Sequence, residues 1–305
     1  MHPLTELLNP AQTAARLPWQ KLVNEIGLLL QDDSVKVAPR SVQALPGGAS
    51  LFVMPAADQN IAIAKLITFT PANAATGRPT IQGDVVVFDV ATGRRTQVLD
   101  GPTVTARRTA AVSVLAAQRL SHNPKGPLLV VGAGVQGRSH LEAFAAVLGV
   151  TQVLIASRSP ASAHALMRHA RALGLQAQVV QDADAALADC PLAVTCTPAH
   201  GVVLSALPPL DGFVSAVGAF TPQMVELSPD LCRFVAAKGA VFTDSAEAQH
   251  EAGDLLQAGL NPEHFATLAE VVRKNIQPPA GPVLFKSCGW AGWDLAAARV
   301  ALSPH

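Results

Sequence analysis

Hydrophobic and polar positions along the chain change period several times, and the changes outline its elements. The first thirty residues space their apolar side chains as an amphipathic helix does, ending near Gly27 or Leu30. Short runs rich in Val, Ile and Thr follow. Residues 34–38, 49–54 and 61–69 read as strands, the last of them IAIAKLITF. After the loop PANAATGRPT, the segments IQGDVVVFDV and RRTQVL flank Ala-Thr-Gly, so residues 81–99 read as a hairpin with Gly93 in the left-handed turn position. Thr103 is placed to cap a helix running to about Leu120. Together these elements predict one α+β unit.

The turn-rich stretch SHNPKGP then marks a boundary near Ser121, and β and α patterns alternate beyond it. PLLVVGAGV gives a first strand, VLIASR a second, AQVV a third, LAVTCT a fourth and FVSAVGA a fifth. SPASAHALMRHARALG and DADAALADC supply helices between them, and FKSCGWAGWDLAAARVAL reads as a closing helix after the return PPAGP. Alternation of this kind requires a parallel sheet, so the fold class is α/β: a Rossmann-type doubly wound parallel sheet beside an α+β unit.

Composition narrows the functions available. With 305 residues, 50% of them hydrophobic, the chain can bury two cores. The 22 basic and 22 acidic residues cancel and form no block, which points away from nucleic acid and anionic membranes and toward a small-molecule partner. Cys190, Cys196, Cys232 and Cys288 form no C-x-x-C pair or zinc-like cluster, and the N-terminus carries no targeting pattern; reduced core thiols and a cytoplasmic location are expected. Residues 190–210 carry no charge, but prolines interrupt them, so they read as buried strand and loops rather than a membrane helix.

One motif carries cofactor chemistry. In VVGAGVQGRSH the glycines are spaced G-x-G-x-x-G between a strand and a helix. Gly132 makes the tight turn, Gly134 admits a pyrophosphate to the backbone, and Gly137 lets helix pack on strand. The free N–H groups of the helix starting near Val135, with Gln136 and Gly137, then face the phosphates. About 20 residues on, where an NAD site wants a carboxylate, the chain reads Ser157, Arg158, Ser159. Hydroxyls and a guanidinium suit a 2′-phosphate, so NADPH is the expected cofactor, with NADH still open and a solvated Arg158 the alternative. Thr195 and Thr197 end the fourth strand, where cofactor contact and turn formation are equally expected.

The chain has no tyrosine, which removes mechanisms needing a Tyr proton donor, and it has no H-E-x-x-H or G-x-S-x-G motif. Cations stand out instead: Arg40, Lys65 inside an apolar strand, and Arg107 with Arg108 early in a helix. Lys65 cannot be buried without an anion. Arg107 and Arg108 point about 100° apart, so one of them is expected to be solvated. His140 and His200 read as satisfied histidines rather than proton donors, and Asp294 as a cap or salt-bridge partner.

APRSVQALPGG with FVMPA, IAIAKLITFTPAN, PTIQG, LDGPTVTARRTAAVSVLAA, VVGAGVQGRSHLEAF and FKSCGWA, in that order, resemble the ornithine cyclodeaminase/μ-crystallin family over nearly the whole chain. The resemblance implies a homodimer whose substrate-binding and dimerisation domain is built from residues 1–120 with 285–305, the Rossmann domain of residues 121–284 being inserted between them. It implies that Arg40 and Arg108 hold a substrate carboxylate with Lys65 beside it as anion partner or proton donor, that Gln82 faces nicotinamide or substrate, and that Lys286 and Ser287 lie near the nicotinamide.

One departure matters. Cyclodeaminases of the family carry an aspartate where VGAFTPQM places Phe220. A phenyl ring cannot hydrogen-bond an amine, whereas reduction of a cyclic ketimine needs only hydride and charge compensation, with Phe220 packed on the ring methylenes. VGAFTPQM and FKSCGWAGWDLAAAR further resemble the branch of the family that reduces Δ1-pyrroline-2-carboxylate and Δ1-piperideine-2-carboxylate. The expected activity is therefore NADPH-dependent reduction of cyclic imino acids. Reduction of an acyclic imino acid, ornithine cyclodeamination, and NADPH-dependent ligand binding without turnover are the alternatives.

Overall fold

The structure is a computed structural model that describes residues 5–198, 200–277 and 280–303. The His200 side chain and Pro278–Pro279 of the return PPAGP lie outside the described residues. The chain divides into two compact units, Met1–Arg108 with Trp290–His305, and Thr109–Gly289.

In the first unit the strands are β1 (Glu6–Leu7), β2 (Lys36–Val37), β3 (Ser41–Leu45), β4 (Ala49–Ala57), β5 (Ile61–Phe69), β6 (Ile81–Asp89) and β7 (Arg95–Asp100). They form one sheet in the order β1-β7-β6-β5-β4-β2, with β3 also on β4. β4 to β7 pair antiparallel, and Gly93 takes φ 68° in the β6–β7 turn, as the spacing predicted. Alternation along β5 buries Ile61, Ile63, Lys65 and Ile67 while Leu66 on the other face stays exposed. The predicted N-terminal helix is broken at Pro18 into α1 (Pro10–Arg16) and α2 (Trp19–Leu29), because proline has no N–H to continue the ladder.

Helix α3 (Gly101–Leu120) follows β7. Its cap is Asp100, whose Oδ2 accepts from the Thr103 N–H at 2.8 Å, so Thr103 sits inside the first turn rather than capping it. The C-terminal helix, Ala291–Leu302, packs on α2, β4 and β5, and its alanines permit a close approach. Arg299 fastens it: Nε meets Asp58 Oδ2 at 2.7 Å, Nη2 meets Asp32 Oδ2 at 2.6 Å and Nη1 meets Glu25 Oε1 at 3.2 Å.

The second unit contains β8 (Leu128–Val131), α4 (Val135–Ala143), β9 (Gln152–Ala156), α5 (Pro160–Ala172), β10 (Gln176–Val179), α6 (Ala183–Leu187), β11 (Leu192–Thr195), β12 (His200–Leu204), β13 (Phe213–Ala216), β14 (Val225–Leu227), α7 (Pro229–Lys238), β15 (Ala240–Thr243), α8 (Gly253–Gln257), α9 (Leu268–Arg273) and β16 (Val283–Lys286). The main sheet runs β10-β9-β8-β11-β13-β16-β15 with every pairing parallel. The order reverses between β8 and β11, and a crevice at the carboxyl ends there is where such sheets bind ligands.

By packing, the units meet at Arg108/Thr109, within α3, and the helix itself ends at Leu120, next to the boundary expected near Ser121. One expectation is corrected. Phe285 and Lys286 belong to β16, a central strand between β13 and β15, and the closing helix starts only at Ala291 after Gly289 takes φ 92°. The returning segment thus completes the parallel sheet before it joins the other unit.

Candidate active site

In the first unit, β5 aims Lys65 at the C-terminal helix, where Asp294 faces it. Lys65 Nζ donates to Asp294 Oδ1 at 2.9 Å, and both side chains are fully buried. Arg108, also buried, brings Nε to 3.5 Å from the same oxygen, an ion pair without a hydrogen bond. Arg40 stands near enough that its charge acts on Lys65. Burial pulls the Lys65 ammonium down to about 8, Asp294 opposes this, and Arg108 and Arg40 reinforce it.

Two cations therefore meet one carboxylate, with the charge of Arg40 acting on one of them. Arg108 Nε and Asp294 Oδ2 are buried without a hydrogen-bond partner, leaving polar capacity for a ligand. Arg107 turns away, as the helical spacing requires, and stays partly exposed: it lies 3.8 Å over the Trp19 ring and donates to Leu17 O at 2.9 Å. Gln82 is not brought to the cluster. It pairs with Thr68, whereas Lys65 pairs with Val85, so the two side chains leave opposite faces of the sheet.

In the second unit, the glycine loop has the form a dinucleotide pyrophosphate needs. A Cβ on Gly132 would lie 2.7 Å from Cys196 O, and one on Gly137 1.9 Å from Gly132 O, so neither position takes a side chain. Above Gly134 the space is open, no side chain caps α4, and Val135 is 71% exposed. Gln136 and Gly137 complete that first turn. These observations fit a dinucleotide, with Gly132, Gly134, Val135, Gln136 and Gly137 as its cradle.

At the end of β9, Arg158 is exposed and pairs with no carboxylate among the described residues. Ser157 Oγ accepts from the Ser159 N–H at 3.3 Å. Ser159 Oγ caps α5 by accepting from the Ser162 N–H at 3.2 Å, which ties this hydroxyl to the helix.

Thr195, Thr197 and Lys286 hold partners within the unit. Glu226, on β14, accepts from Thr195 Oγ1 at 2.9 Å through Oε2, and from the Thr197 N–H at 2.7 Å and Thr197 Oγ1 at 2.9 Å through Oε1. The Gly218 and Ala219 N–H groups also donate to Oε2, at 2.7 and 3.3 Å. Lys286 Nζ, fully buried, lies 2.7 Å from Asp254 Oδ2 and donates to Ala219 O at 2.6 Å. Asp254 Oδ1 accepts the Glu226 and Leu227 N–H groups at 2.6 and 2.9 Å. Burial raises the Glu226 carboxyl, with Lys286 opposing. Phe220 follows directly in the loop after β13, half-buried.

His140 is buried, with Nε2 3.0 Å from Ser113 Oγ and Nδ1 2.8 Å from Gln136 O; burial holds it neutral, down to about 4. Ser287 donates to Asp244 Oδ2 at 2.8 Å. The four cysteines are buried and form no disulfide among the described residues.

Sequence reasoning left Asp294, Glu226 and Asp254 out of the site. A signal existed for Asp294: it is an acid inside an alanine-rich helix, and a buried charge demands a partner.

These features define an α/β protein with a Rossmann-type second unit and a first unit that carries a buried cation cluster. The chain belongs to the ornithine cyclodeaminase/mu-crystallin family, whose model matches residues 25–302. It is 37% identical over 298 residues to a Δ1-pyrroline-2-carboxylate/Δ1-piperideine-2-carboxylate reductase of Azospirillum brasilense, covering 97% of this chain and 94% of that one. To the ketimine reductase mu-crystallin of Mus musculus it is 33% identical over 256 residues, covering 82% and 79% of the two chains. In fold it matches the Δ1-pyrroline-2-carboxylate reductase of Thermococcus litoralis, solved in complex with NADH and L-proline, with TM-score 0.89 at 22% identity over 97% of this chain and 96% of that one.

Proposed function

We propose that this protein reduces the cyclic ketimines Δ1-pyrroline-2-carboxylate and Δ1-piperideine-2-carboxylate to L-proline and L-pipecolate, using a nicotinamide dinucleotide and preferring NADPH. The observation that carries the reading is the meeting of Lys65 and Arg108 at Asp294 in a buried place, with the charge of Arg40 also acting on Lys65. A ligand carboxylate balances this positive charge and finds the unused donor of Arg108.

In this reading Arg40 and Arg108 bind and orient the carboxylate, and Asp294 keeps Lys65 protonated beside it. Gly132, Gly134, Val135, Gln136 and Gly137 hold the pyrophosphate, while Ser157 and Arg158 receive the 2′-phosphate. When bound, the reduced nicotinamide supplies the hydride that C2 of the ring takes up. The ring nitrogen enters protonated as an iminium and leaves as a secondary amine, so no strong acid is required of the chain, and orientation carries the catalysis. Phe220 offers apolar surface to the ring methylenes and no acceptor for an amine, which disfavours cyclodeamination of ornithine.

Oxidation of NADPH and NADH followed at 340 nm with both cyclic imines, and with pyruvate plus ammonia, tests the reading. The expected result is turnover of the cyclic imines, faster with NADPH, with Arg158→Ala narrowing the difference between cofactors by about tenfold. No turnover of either imine would overturn the reading. A homodimer in the cytoplasm belongs to the same proposal, and light scattering of the purified chain tests the dimer.

A further inference from the structure

Glu226 sits where two loops at the carboxyl edge of the parallel sheet meet. The loop after β11 gives it the Thr197 N–H and hydroxyl, and the loop after β13 gives it the Gly218 and Ala219 N–H groups. The loops touch: a Cβ on Gly218 would lie 1.9 Å from Thr197 O and 2.5 Å from Glu226 Oε1. Thr197 in turn backs the glycine loop, its Cγ2 lying 3.1 Å from where a Gly132 Cβ would be. Without the carboxylate, several buried donors would lack an acceptor, and each such group costs about 1–3 kcal/mol.

The peptide planes just before Phe220 are held from both sides. Glu226 takes the Ala219 N–H, and Lys286 takes the Ala219 carbonyl, the oxygen of the bond that leads into Phe220. Asp254 completes the frame by pairing Lys286 and accepting the Glu226 N–H. The proposed reaction uses neither carboxylate on substrate, yet the chain commits both to this one corner.

We infer that Glu226 is a positioning residue for imine reduction, fixing where Phe220 stands and through Phe220 the ring size the enzyme prefers. This rests on the proposed function. Only a carboxylate suits the place, because both oxygens face donors: glutamine, in either orientation, turns its NH2 toward N–H or hydroxyl donors.

The test is Glu226→Gln in the full chain, with kcat and KM for the five- and six-membered imines, hydrogen exchange at Thr197, Gly218 and Ala219, and a double-mutant cycle with Phe220→Ala. We expect kcat to fall on the order of 10–100-fold and the ratio of kcat/KM between rings to move about threefold or more. The three amides should lose protection. In the Phe220→Ala background, Glu226→Gln should no longer move the ratio. An unchanged ratio, or the same shift with and without Phe220, would overturn the inference even if the melting temperature falls. Should Glu226→Gln fail to fold, Thr197→Val removes one donor and should move the ratio in the same direction by less; no movement counts against the inference. A wild-type protein inert on both imines refutes the functional reading instead, and unprotected amides in that protein refute the pinning as well.

Discussion

Lys65 and Lys286 invite comparison. Each sits on a strand, each is fully buried, and each meets an aspartate, Asp294 at 2.9 Å and Asp254 at 2.7 Å. Their charges respond in opposite directions. Burial lowers both, but at Lys65 the neighbours beyond the aspartate are Arg108 and Arg40, and the ammonium falls to about 8. At Lys286 Asp254 and Glu226 outweigh burial and raise it above the ordinary value. The pair is the same; the third and fourth charges decide what it is for. A surplus of cations makes a place that wants an anion, and a surplus of acids makes an internal pin.

The largest effect should come from breaking the pin. Lys286→Met leaves Asp254 and Glu226 buried without their cation, which costs about 3–5 kcal/mol, and the melting temperature should drop by on the order of 10 °C. A drop of only a degree or two, roughly, would mean that the acids are neutral in the folded protein.

Next comes the clamp. Arg108→Ala should lower kcat/KM for a cyclic imino acid by roughly a hundredfold while the dissociation constant of the nicotinamide dinucleotide, measured by fluorescence titration, stays within about threefold. Equal loss of cofactor affinity would remove Arg108 from substrate binding.

A smaller effect separates the two lysines by pH. Because Lys65 has a folded value near 8, below the ordinary 10.5, the unfolded chain holds the proton over that interval and this group's contribution to stability rises with pH there. Lys286, raised, contributes stability fully present below 10.5 and lost only as pH climbs through its folded value. Substrate binding should therefore weaken as pH passes about 8, and Asp294→Asn should shift that limb of the kcat/KM profile to lower pH by about one unit. A profile unmoved by Asp294→Asn would assign the limb to another group.

Smallest of all should be Lys274→Ala. Its pair with Glu270 is as short, 2.7 Å, but exposed, and the melting temperature should change by no more than about 1 °C. A larger change would undo the argument that burial, not distance, separates these pairs.

What could be read from the sequence follows range. Strand Ile61–Phe69 and the glycine loop are local patterns, a period of two and a spacing of three glycines, and the structure keeps both where the pattern places them. Lys65 was legible as a charge needing a partner, but the partner lies 229 positions away and no local pattern names it. Glu226 was invisible for the same reason: most of its donors come from two other loops. The stretch from Phe285 into the last helix misled because its apolar spacing suits helix throughout, and only pairing with β13 and β15 makes Phe285 and Lys286 a strand.

The distance between Lys65 and Asp294 along the chain also sets an order of events during synthesis. At ordinary elongation rates, roughly 10–45 s separate the appearance of the lysine from that of the aspartate. Glu25, Asp32 and Asp58 wait longer still for Arg299. Residues 109–289 form a contiguous unit that can close while the nascent first unit still lacks its last helix. The parallel sheet can therefore be complete on the ribosome while Lys65 and Arg108 still wait for the carboxylate of Asp294.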